Sequence, residues 1–281
     1  MNILCCLDNG YTYQMMNMIY SVKKKSKEDI NLHLITSNFT FDNEALISNF
    51  CKKNGISFNI YREKFVDGFQ DGNKHYTVDM FLRIFSFNIL PSNINRILYL
   101  DADLIANKDL STLYYQNLED KCVAVVRDIN YNSDELLRHA ANLEIHHDYF
   151  NSGVILFNLD NIRKKWNVDT ITELIMKKSD ILMFPDQDIL NILLDEKEIL
   201  FLEKTFNYQI LSKGSLDFEP HIIHFIGSKK PWNHFILSSH EKRYSKNFKE
   251  LGQRQYLFKQ FFVNLKILFR RIVKKIKKFF N

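Results

Sequence analysis

The sequence predicts an α/β fold in which helices flank a mixed, mainly parallel sheet. Its 281 residues are 46% hydrophobic and 25% charged, which suffices for one large domain with a substantial core and a small appendage. Along the first sixty residues, short apolar runs alternate with segments of helical spacing, and strands joined by crossover helices are parallel. We therefore expect one domain over residues 1–252 and a separate tail over residues 253–281.

The first sixty residues are predicted to run β-α-β-α-β. Lysines close the first helix and favour a C-terminus there, and Gly55 suits the position that follows the second helix. The elements are a strand at Ile3–Leu7, a helix at Tyr13–Lys25, a strand at Ile30–Thr36, a helix that Asp42 can cap and that runs through Lys53, and a strand at Ser57–Tyr61.

The rest of the body continues the alternation. A fully apolar strand at Ile97–Leu100 runs directly into Asp101, and Pro91 stops the helix before it. The other predicted elements are a polar loop at Gly68–His75, helices at Val78–Leu90, Asn161–Lys178 and Gln187–Leu194, strands at Val123–Arg127 and Val154–Asn158, and a strand at Ile222–Ile226 that closes the sheet.

Polar side chains follow the predicted strands at the end of the sheet where open α/β folds bind ligands. They are Asp8, Asp101, Asp103, Asp128 and His224. The carboxylates of Asp101 and Asp103 cannot both be buried without a cation or solvent. If strand geometry persists through Ala102, both project to one side and are plausible ligands for Mg²⁺ or Mn²⁺. The alternative is a turn in which these side chains cap backbone N–H groups.

Two more segments carry candidate site residues. His224 is followed by the turn Gly227–Trp232, whose backbone and lysines suit phosphate oxygens, although a lone histidine is more often a satisfied core residue. Asp186–Asp188 opens a helix after Pro185 and could be no more than an N-terminal cap.

Several stretches carry a recognisable pattern in a fixed order. They are Ile3–Tyr11, the helix that holds Phe81–Arg83, Ile97–Leu104, Tyr149–Asn158, Pro185–Asn191, Phe206–Tyr208 and His224–Trp232. Together they resemble the retaining glycosyltransferases of family eight, which have the GT-A fold and include bacterial lipopolysaccharide galactosyl- and glucosyltransferases. The resemblance implies a GT-A-like sheet over residues 1–252. It does not extend to Asn130–Asp148, which we predict to be a solvated loop.

The resemblance implies roles at the donor nucleotide and its metal. The metal, usually manganese with magnesium as the alternative, would be held against the diphosphate by Asp101, Asp103 and His224, with Ala102 between the two acids at the same site. The uracil and ribose would meet Asp8 and Tyr11. The phosphates would lie near His75 and be gripped by Gly227 and Lys230.

The transferred sugar would be surrounded by the positions that match Arg83, Asp128, Asn151, Asp186 and Gln187. In the family the residue beneath the sugar ring matches Gln187, which is a poor nucleophile. The resemblance therefore favours front-face transfer in which Gln187 stabilises an oxocarbenium-like species. Asp188 is a conceivable substitute nucleophile.

The function expected from these observations is a retaining hexosyltransferase. It would move galactose or glucose from a UDP-sugar to a glycan acceptor such as lipopolysaccharide or lipooligosaccharide. Two alternatives stay open: a phosphohydrolase that uses the D-x-D motif, and a catalytically silent glycan-binding or scaffold protein. A mildly acidic body argues against a nucleic-acid partner, because the formal charge of +5 becomes −4 for residues 1–252 once the tail's nine Lys and Arg are removed.

The tail at residues 253–281 is predicted to form a basic amphipathic helix. It has nine Lys or Arg and no acid, and its apolar residues recur at helical spacing. Such a helix suits the interface of an anionic membrane, and the alternative is a helix packed on the body or on a partner. Four scattered cysteines, no signal peptide and no spanning apolar run predict a cytoplasmic protein that is peripheral at the inner face of the cell membrane.

Overall fold

A computed structural model describes residues 1–63, 78–210, 218–228, 230–233 and 238–253, together with Tyr256, Phe262 and Leu265. The predicted loop Gly68–His75 and almost all of the predicted tail helix lie outside the described residues. Both stay predictions, as does the domain boundary at residue 252.

Helices and strands alternate along the described chain. The strands are β1 (Asn2–Cys6), β2 (Ile30–Thr36), β3 (Ile56–Arg62), β4 (Arg96–Leu100), β5 (Leu104–Ala106), β6 (Val123–Arg127), β7 (Phe150–Asn158), β8 (Ile199–Phe201), β9 (Tyr208–Ile210) and β10 (Ile222–Phe225). The helices are α1 (Thr12–Lys25), α2 (Phe41–Lys53), α3 (Val78–Phe81), α4 (Ser86–Ile89), α5 (Ser111–Tyr114), α6 (Asp134–Asn142), α7 (Leu159–Arg163), α8 (Val168–Lys178), α9 (Pro185–Ile192) and α10 (Ser239–Glu250).

Within the described residues, seven strands form the main sheet in the order β3-β2-β1-β4-β7-β6-β8. The pairs β3–β2, β2–β1, β1–β4 and β6–β8 are parallel, and only β7 runs against its two neighbours. The predicted mixed, mainly parallel sheet flanked by helices is therefore confirmed.

A second, three-stranded sheet has the order β5-β10-β9. The prediction that Ile222–Ile226 closes the main sheet was wrong, because β10 pairs antiparallel with β5 and parallel with β9 instead. The reason is that the chain leaves the main sheet at the turn after β4. After that turn β5 lies outside the main sheet, and β10 pairs with it there.

Local hydrogen bonds interrupt two helices that were predicted to be continuous. Val78–Leu90 is two short helices, because residues 82–85 form a turn in which the N–H of Ile84 donates to the carbonyl of Phe81 (2.9 Å). Asn161–Lys178 is also two helices. The Asn167 side chain there accepts from the N–H groups of Asp169 and Thr170 and caps a new helix start.

Two smaller predictions also need correction. The cap of α2 is Thr40, whose hydroxyl accepts from the N–H of Asn43, and not Asp42. The segment Asn130–Asp148 is not a loop throughout, because it contains α6, which is capped by Ser133. The acids in the first turn of α6 favour that helix start electrostatically.

The main sheet is buried on both faces. Alternate residues of its central strands enter different apolar clusters, with Leu4 and Tyr99 on one side and Ile3 and Leu98 on the other. The four cysteines are free thiols. No helix in the described part of the chain combines the length and the apolarity needed to cross a bilayer.

Arg163, at the end of α7, fixes the turn that leads into β4. Its guanidinium donates to five backbone carbonyls, those of Phe87, Leu90, Pro91, Ser92 and Ile94, at 2.9–3.3 Å. These carbonyls belong to the end of α4 and the turn after it, where no helical partner is available. A planar fork with five N–H donors can satisfy all of them at once, which a lysine ammonium cannot do.

We expect Arg163→Lys to lower the free energy of unfolding by about 1.5–3 kcal/mol, because several charge-assisted hydrogen bonds are lost. Thermal unfolding should then shift down by about 2–4 °C for each kcal/mol. The matched control is Arg62→Lys, at a half-exposed ion pair with Glu44, where a change within about 0.5 kcal/mol is expected. Equal stability of the two variants would contradict this role of Arg163.

Candidate functional site

The D-x-D turn lies between the two sheets. The N–H of Asp101 donates to the carbonyl of Gly153 (2.9 Å), and Ala102 and Asp103 then form the turn that leads into β5. Strand β4 ends at Leu100, so the condition that strand geometry persists through Ala102 is not met, and the turn directs the two carboxylates. His224 lies within β10 opposite Leu104. As a result, one ligand atom each of Asp101, Asp103 and His224 lies within 4.8 Å of the others.

The carboxylates of Asp101 and Asp103 make the same pattern of contacts. One oxygen of Asp101 is 3.1 Å from the guanidinium of Arg83, and one oxygen of Asp103 accepts from the ammonium of Lys230. The other oxygen of each faces Nε2 of His224, at 3.7 Å from Asp101 and 3.1 Å from Asp103. Each acid is thus held by a protein cation on its outer side and offers its inner oxygen to the centre.

The donor set fits a divalent cation. The inner oxygen of Asp103 is buried and has no hydrogen-bond partner among the described residues, so it is left with a desolvation cost that a bound ion would offset. Two carboxylate oxygens and an imidazole nitrogen are ligands that Mn²⁺ accepts, and Mg²⁺ accepts the oxygens.

The charges around the centre keep its groups ionised. Burial alone would raise the pKa of Asp103, but the neighbouring His224 and Lys230 outweigh it and hold that pKa below the usual range. Burial would lower the pKa of Arg83, but the carboxylates of Asp101 and Asp186 raise it. Arg83 therefore stays a cation although its side chain is only 11% exposed, and it also lies over the ring of Tyr99 (4.3 Å).

Gly153 makes the close approach of these ligands possible. A Cβ built on it would come within 2.2 Å of the His224 ring and 2.7 Å of the inner oxygen of Asp101. The pairing of β6 with β7 shifts here, from Val125 opposite Ile155 to Val126 opposite Asn151. Gly153 was not among the predicted site residues. A glycine inside an otherwise apolar strand was the available signal, since it often marks such an approach.

A cavity of about 230 Å³ opens beside the centre. Its lining includes the predicted residues Asp8, Tyr11, Arg83, Asp101, Ala102 and Asp103, and also Cys6, Leu7 and Met80, which were not predicted. Asp8 caps the short helix after β1 by accepting from the N–H of Gly10 (2.7 Å). The pKa of Tyr11 is raised by burial first and by the acids around it second. This cavity is the place where a ligand would meet the three candidate metal ligands.

The turn after β10 brings a cation to the same place. Gly227 has a φ of +76°, which favours glycine. The ammonium of Lys230 reaches back to donate to Asp103 and to the carbonyl of Phe225 (2.6 Å). His75 lies outside the described residues, and its role stays a prediction.

The residues predicted to surround a sugar form hydrogen-bonded groups. Arg83 lies 3.2 Å from Asp186 and donates to the carbonyl of Ser152 (3.2 Å). Burial raises the pKa of Asp186, although Arg83 opposes the rise.

The other predicted sugar-side residues meet at Gln187. Its Oε1 accepts from the side chain of Asn151 (3.1 Å) and from the N–H of Ser152 (2.9 Å), and its Nε2 donates to Asp128 (3.4 Å). Both ends of this amide are therefore fixed by the protein.

Asp188 does not face the site. Its side chain is fully buried, and one oxygen accepts from His139 (2.9 Å) and Tyr149. The other accepts from the N–H groups of Met183 (2.7 Å) and Phe184 (2.9 Å). Four donors occupy the carboxylate, so the structure speaks against the expectation that it could act as a substitute nucleophile. It anchors the start of α9.

A second cavity, of about 470 Å³, lies next to Asp128. It is lined by Asp128, Asn207, Val126, Arg127, Ile129, Tyr131, Leu202, Glu203, Lys204, Tyr208 and Gln209. Gln209 shapes it by accepting from the N–H of Ile129 (2.9 Å) and donating to the carbonyl of Arg127 (2.8 Å), on either side of Asp128. None of these contacts was predicted, because they join segments far apart in the sequence.

Comparison with known proteins gives a consistent result. The family model described as Glycosyl transferase family 8 matches residues 2–235. A lipopolysaccharide 1,2-glucosyltransferase of Escherichia coli strain K12 is 32% identical over 181 residues, which are 59% of this chain and 52% of that protein. Another Escherichia coli lipopolysaccharide 1,2-glucosyltransferase is 30% identical over 171 residues, covering 56% and 50%. The chain spans about half the length of these relatives.

Solved structures share the fold. The galactosyltransferase LgtC, in complex with donor and acceptor sugar analogues, superposes with a TM-score of 0.78 at 20% identity, covering 89% of this chain and 96% of that one. The glycosyltransferase GlyE of Streptococcus pneumoniae TIGR4 superposes with a TM-score of 0.67 at 21% identity, covering 88% and 59%.

We expect Gly153→Ala to weaken Mn²⁺ binding by about 100-fold, because the added methyl group separates His224 from Asp101. Binding can be followed through the electron paramagnetic resonance signal of free Mn²⁺. The control is Gly55→Ala, which strains a left-handed residue but has nothing within 4 Å of the new methyl group. It should lose stability and keep Mn²⁺ affinity. Unchanged Mn²⁺ binding in Gly153→Ala would argue against a metal centre at this position.

Proposed function

This chain belongs to glycosyl transferase family 8, and we propose that it transfers galactose or glucose from a UDP-sugar to a glycan acceptor with retention of configuration. The observation that carries the proposal is the convergence of Asp101, Asp103 and His224 beside the cavity of about 230 Å³. No single segment of the sequence holds these groups, and no structural need of the fold accounts for a buried carboxylate oxygen in their midst that has no hydrogen-bond partner within the described part of the chain.

The donor diphosphate would lie at this centre. A manganese ion held by Asp101, Asp103 and His224, with magnesium as the alternative, would supply Lewis-acid stabilisation of the UDP leaving group. Lys230 adds a fixed positive charge on the same side. Asp8 and Tyr11 line the cavity on the other side and would contact the nucleoside.

The sugar would lie between Arg83 and Gln187. Arg83 and Asp186 form a buried ion pair whose outer atoms can bind hydroxyl groups, and Asp128 can do the same. As the bond from the anomeric carbon to phosphate breaks, positive charge develops on the ring. Gln187 would meet that charge without forming a covalent bond, because its amide is a poor nucleophile and Asp188 is turned into the core. This supports front-face transfer.

The acceptor would enter from the second cavity. Asp128 lines that cavity and accepts from Gln187, so it joins the two sides of the site. Tyr131 and Tyr208 offer aromatic faces for sugar rings, and Glu203 and Lys204 offer polar groups for hydroxyls. Since two relatives are named lipopolysaccharide glucosyltransferases, we propose a lipopolysaccharide or lipooligosaccharide glycan as acceptor.

The alternatives explain fewer contacts. A phosphohydrolase of the D-x-D type would use Asp101 as a free nucleophile, whereas one of its oxygens accepts from Tyr99 and lies near Arg83. A silent binding protein would have no use for a buried oxygen on Asp103 that lacks a hydrogen-bond donor among the residues that the structure describes.

The tail would hold the enzyme at a membrane. Where it leaves the body, Tyr256 stacks on Tyr13 (4.4 Å between ring centroids) and on Phe248 (5.7 Å), and its hydroxyl accepts from Gln14 (3.0 Å). Beyond this anchor the sequence is basic and apolar. We propose that it binds the inner face of the cell membrane, which places the enzyme in the cytoplasm where lipid-linked glycans are built.

The donor and the dependence on metal can be tested together. A panel of UDP-sugars with Mn²⁺, scored for UDP release, should select UDP-galactose or UDP-glucose, and NMR of the product should show the donor's anomeric configuration.

We expect Asp103→Asn to lower turnover at least about 100-fold, because it weakens the charge that holds the metal. Asp109→Asn is the control, because Asp109 lies outside the site and accepts from the N–H of Ser111, which an asparagine oxygen can also do. Full turnover of Asp103→Asn in metal-free buffer, or phosphate release from phosphomonoesters alone, would refute the proposal.

For the tail, we expect the full-length variant with Lys274, Lys275, Lys277 and Lys278 changed to Ser to lose binding to vesicles that contain anionic phospholipid. Each basic residue near such a surface contributes about 1 kcal/mol, so the affinity should fall by more than 100-fold. UDP release with a soluble acceptor should not change. A control with Lys52, Lys53, Lys177 and Lys178 changed to Ser keeps the tail and should bind as before. Equal sedimentation of both variants with the vesicles would show that the tail does not anchor the protein.

A further inference from the structure

The second ring nitrogen of His224 has a buried partner that lies outside the centre. Nδ1 of His224 is 2.9 Å from the side-chain oxygen of Asn207, and Asn207 is 1% exposed. The amide nitrogen of Asn207 donates to the side-chain oxygen of Asn151 (2.8 Å). Asn151 in turn donates to Gln187. A line of hydrogen bonds therefore runs from the candidate metal centre to the residue proposed to lie beneath the sugar.

Two backbone N–H groups fix the direction of every bond in this line, because an N–H can only donate. The N–H of Gly153 donates to the Asn151 side chain (3.1 Å), so the atom there is the oxygen. The N–H of Ser152 donates to the Gln187 side chain, so that atom is also an oxygen, and the nitrogen of Asn151 must face it.

The same reasoning shows which ring nitrogen of His224 carries a proton. Since the oxygen of Asn151 can only accept, Asn207 must present its nitrogen to it and its own oxygen to His224. That oxygen can only accept, so Nδ1 carries a proton. Nε2 is the nitrogen left to bind a metal, and it faces Asp101 and Asp103.

We propose that Asn207 is a positioning residue that holds His224 as the Nδ1–H tautomer and so presents Nε2 to the metal. This inference rests on the proposed function for its purpose, but the tautomer itself does not depend on it. Asn207 also ties His224 to Gln187 through Asn151, so that one set of amides orients a metal ligand and a sugar-side residue. Strand β7 is the origin of this order, because it supplies both N–H groups.

The tautomer can be measured without metal or substrate. In the full chain labelled with ¹⁵N-histidine, a long-range ¹H–¹⁵N spectrum separates the two neutral tautomers, and His224→Gln identifies the signals of His224 among the nine histidines. We expect a proton on Nδ1 of His224 in the unaltered chain. Asn207→Leu should lose this preference, and Asn207→Asp should keep it, because a carboxylate can still accept from Nδ1. A neutral His224 in the unaltered chain with its proton on Nε2 and none on Nδ1 would overturn the inference.

Binding of Mn²⁺ alone gives the second readout. We expect Asn207→Leu to weaken it by about 10- to 100-fold, as is typical when a group that orients a metal ligand is removed. The matched control is Asn2→Leu, which removes an asparagine oxygen 3.3 Å from Nε2 of His33, another buried histidine. It should change the His33 signals and leave the His224 tautomer and Mn²⁺ affinity as they are.

The outcomes separate the two proposals. If the tautomer depends on Asn207 but the unaltered chain neither binds Mn²⁺ nor releases UDP, the proposed function fails and the tautomer assignment stands. If Mn²⁺ binds and UDP is released, but Asn207→Leu changes neither the tautomer nor the Mn²⁺ affinity, the role of Asn207 is refuted. Should Asn207→Leu not fold, the spectra of the unaltered chain and of Asn207→Asp decide the question.

Discussion

Repulsion between two carboxylates that share one partly buried turn is the constraint around which this site is organised. The structure reduces this repulsion by giving the two oxygens of each carboxylate different partners. The outer oxygens of Asp101 and Asp103 lie against Arg83 and Lys230, and the inner oxygens converge on His224. Two protein cations against two acids leave the pair near neutrality, but they do nothing for the inner oxygens, which both face Nε2 of His224. A divalent cation in the middle is the simplest way to satisfy all three.

The second, three-stranded sheet begins directly after the turn that holds the two carboxylates. Because the chain turns out of β4 at Asp101, the next strand lies beside β10 and not in the main sheet. The N–H of Phe225 then donates to the carbonyl of Asp103 (3.0 Å), so the histidine strand is bonded directly to the acidic turn. The ligands therefore keep their spacing through backbone hydrogen bonds, which are less adaptable than side-chain contacts. Gly153 completes the arrangement by leaving room where any side chain would intrude.

Much of this could be predicted from the sequence, and the remainder could not for identifiable reasons. The apolar runs that end at Asp101 and Asp128 correctly predicted where two strands end, because hydrophobic periodicity is a local property of the sequence. The partner strand of β10 could not be predicted, since strand pairing depends on where the chain turns. Asp186 and Asp188 have the same side-chain chemistry and nearly the same place in the sequence. Only the helix that carries them decides that the first meets Arg83 and the second enters the core. The roles of Asn207 and Gln209 depend on partners in other segments, which lie 17 and 56 residues from Asn207 and 80 residues from Gln209.

The neighbouring acids also explain why an amide suits position 187. Consecutive residues of a helix differ by about 100° in direction, so α9 can present only one of its residues 187 and 188 to Asn151 and Asp128. The oxygen of Gln187 accepts from Asn151 and Ser152, and a carboxylate could do that equally well. The difference lies at the other end, where the nitrogen of Gln187 donates to Asp128. A carboxylate there would repel Asp128 or take up a proton, and either result would move the group that joins the two cavities. The amide instead holds Asp128 in place through a hydrogen bond. A neutral amide at position 187 therefore suits the neighbouring Asp128, and it is also a poor nucleophile beneath the proposed sugar site.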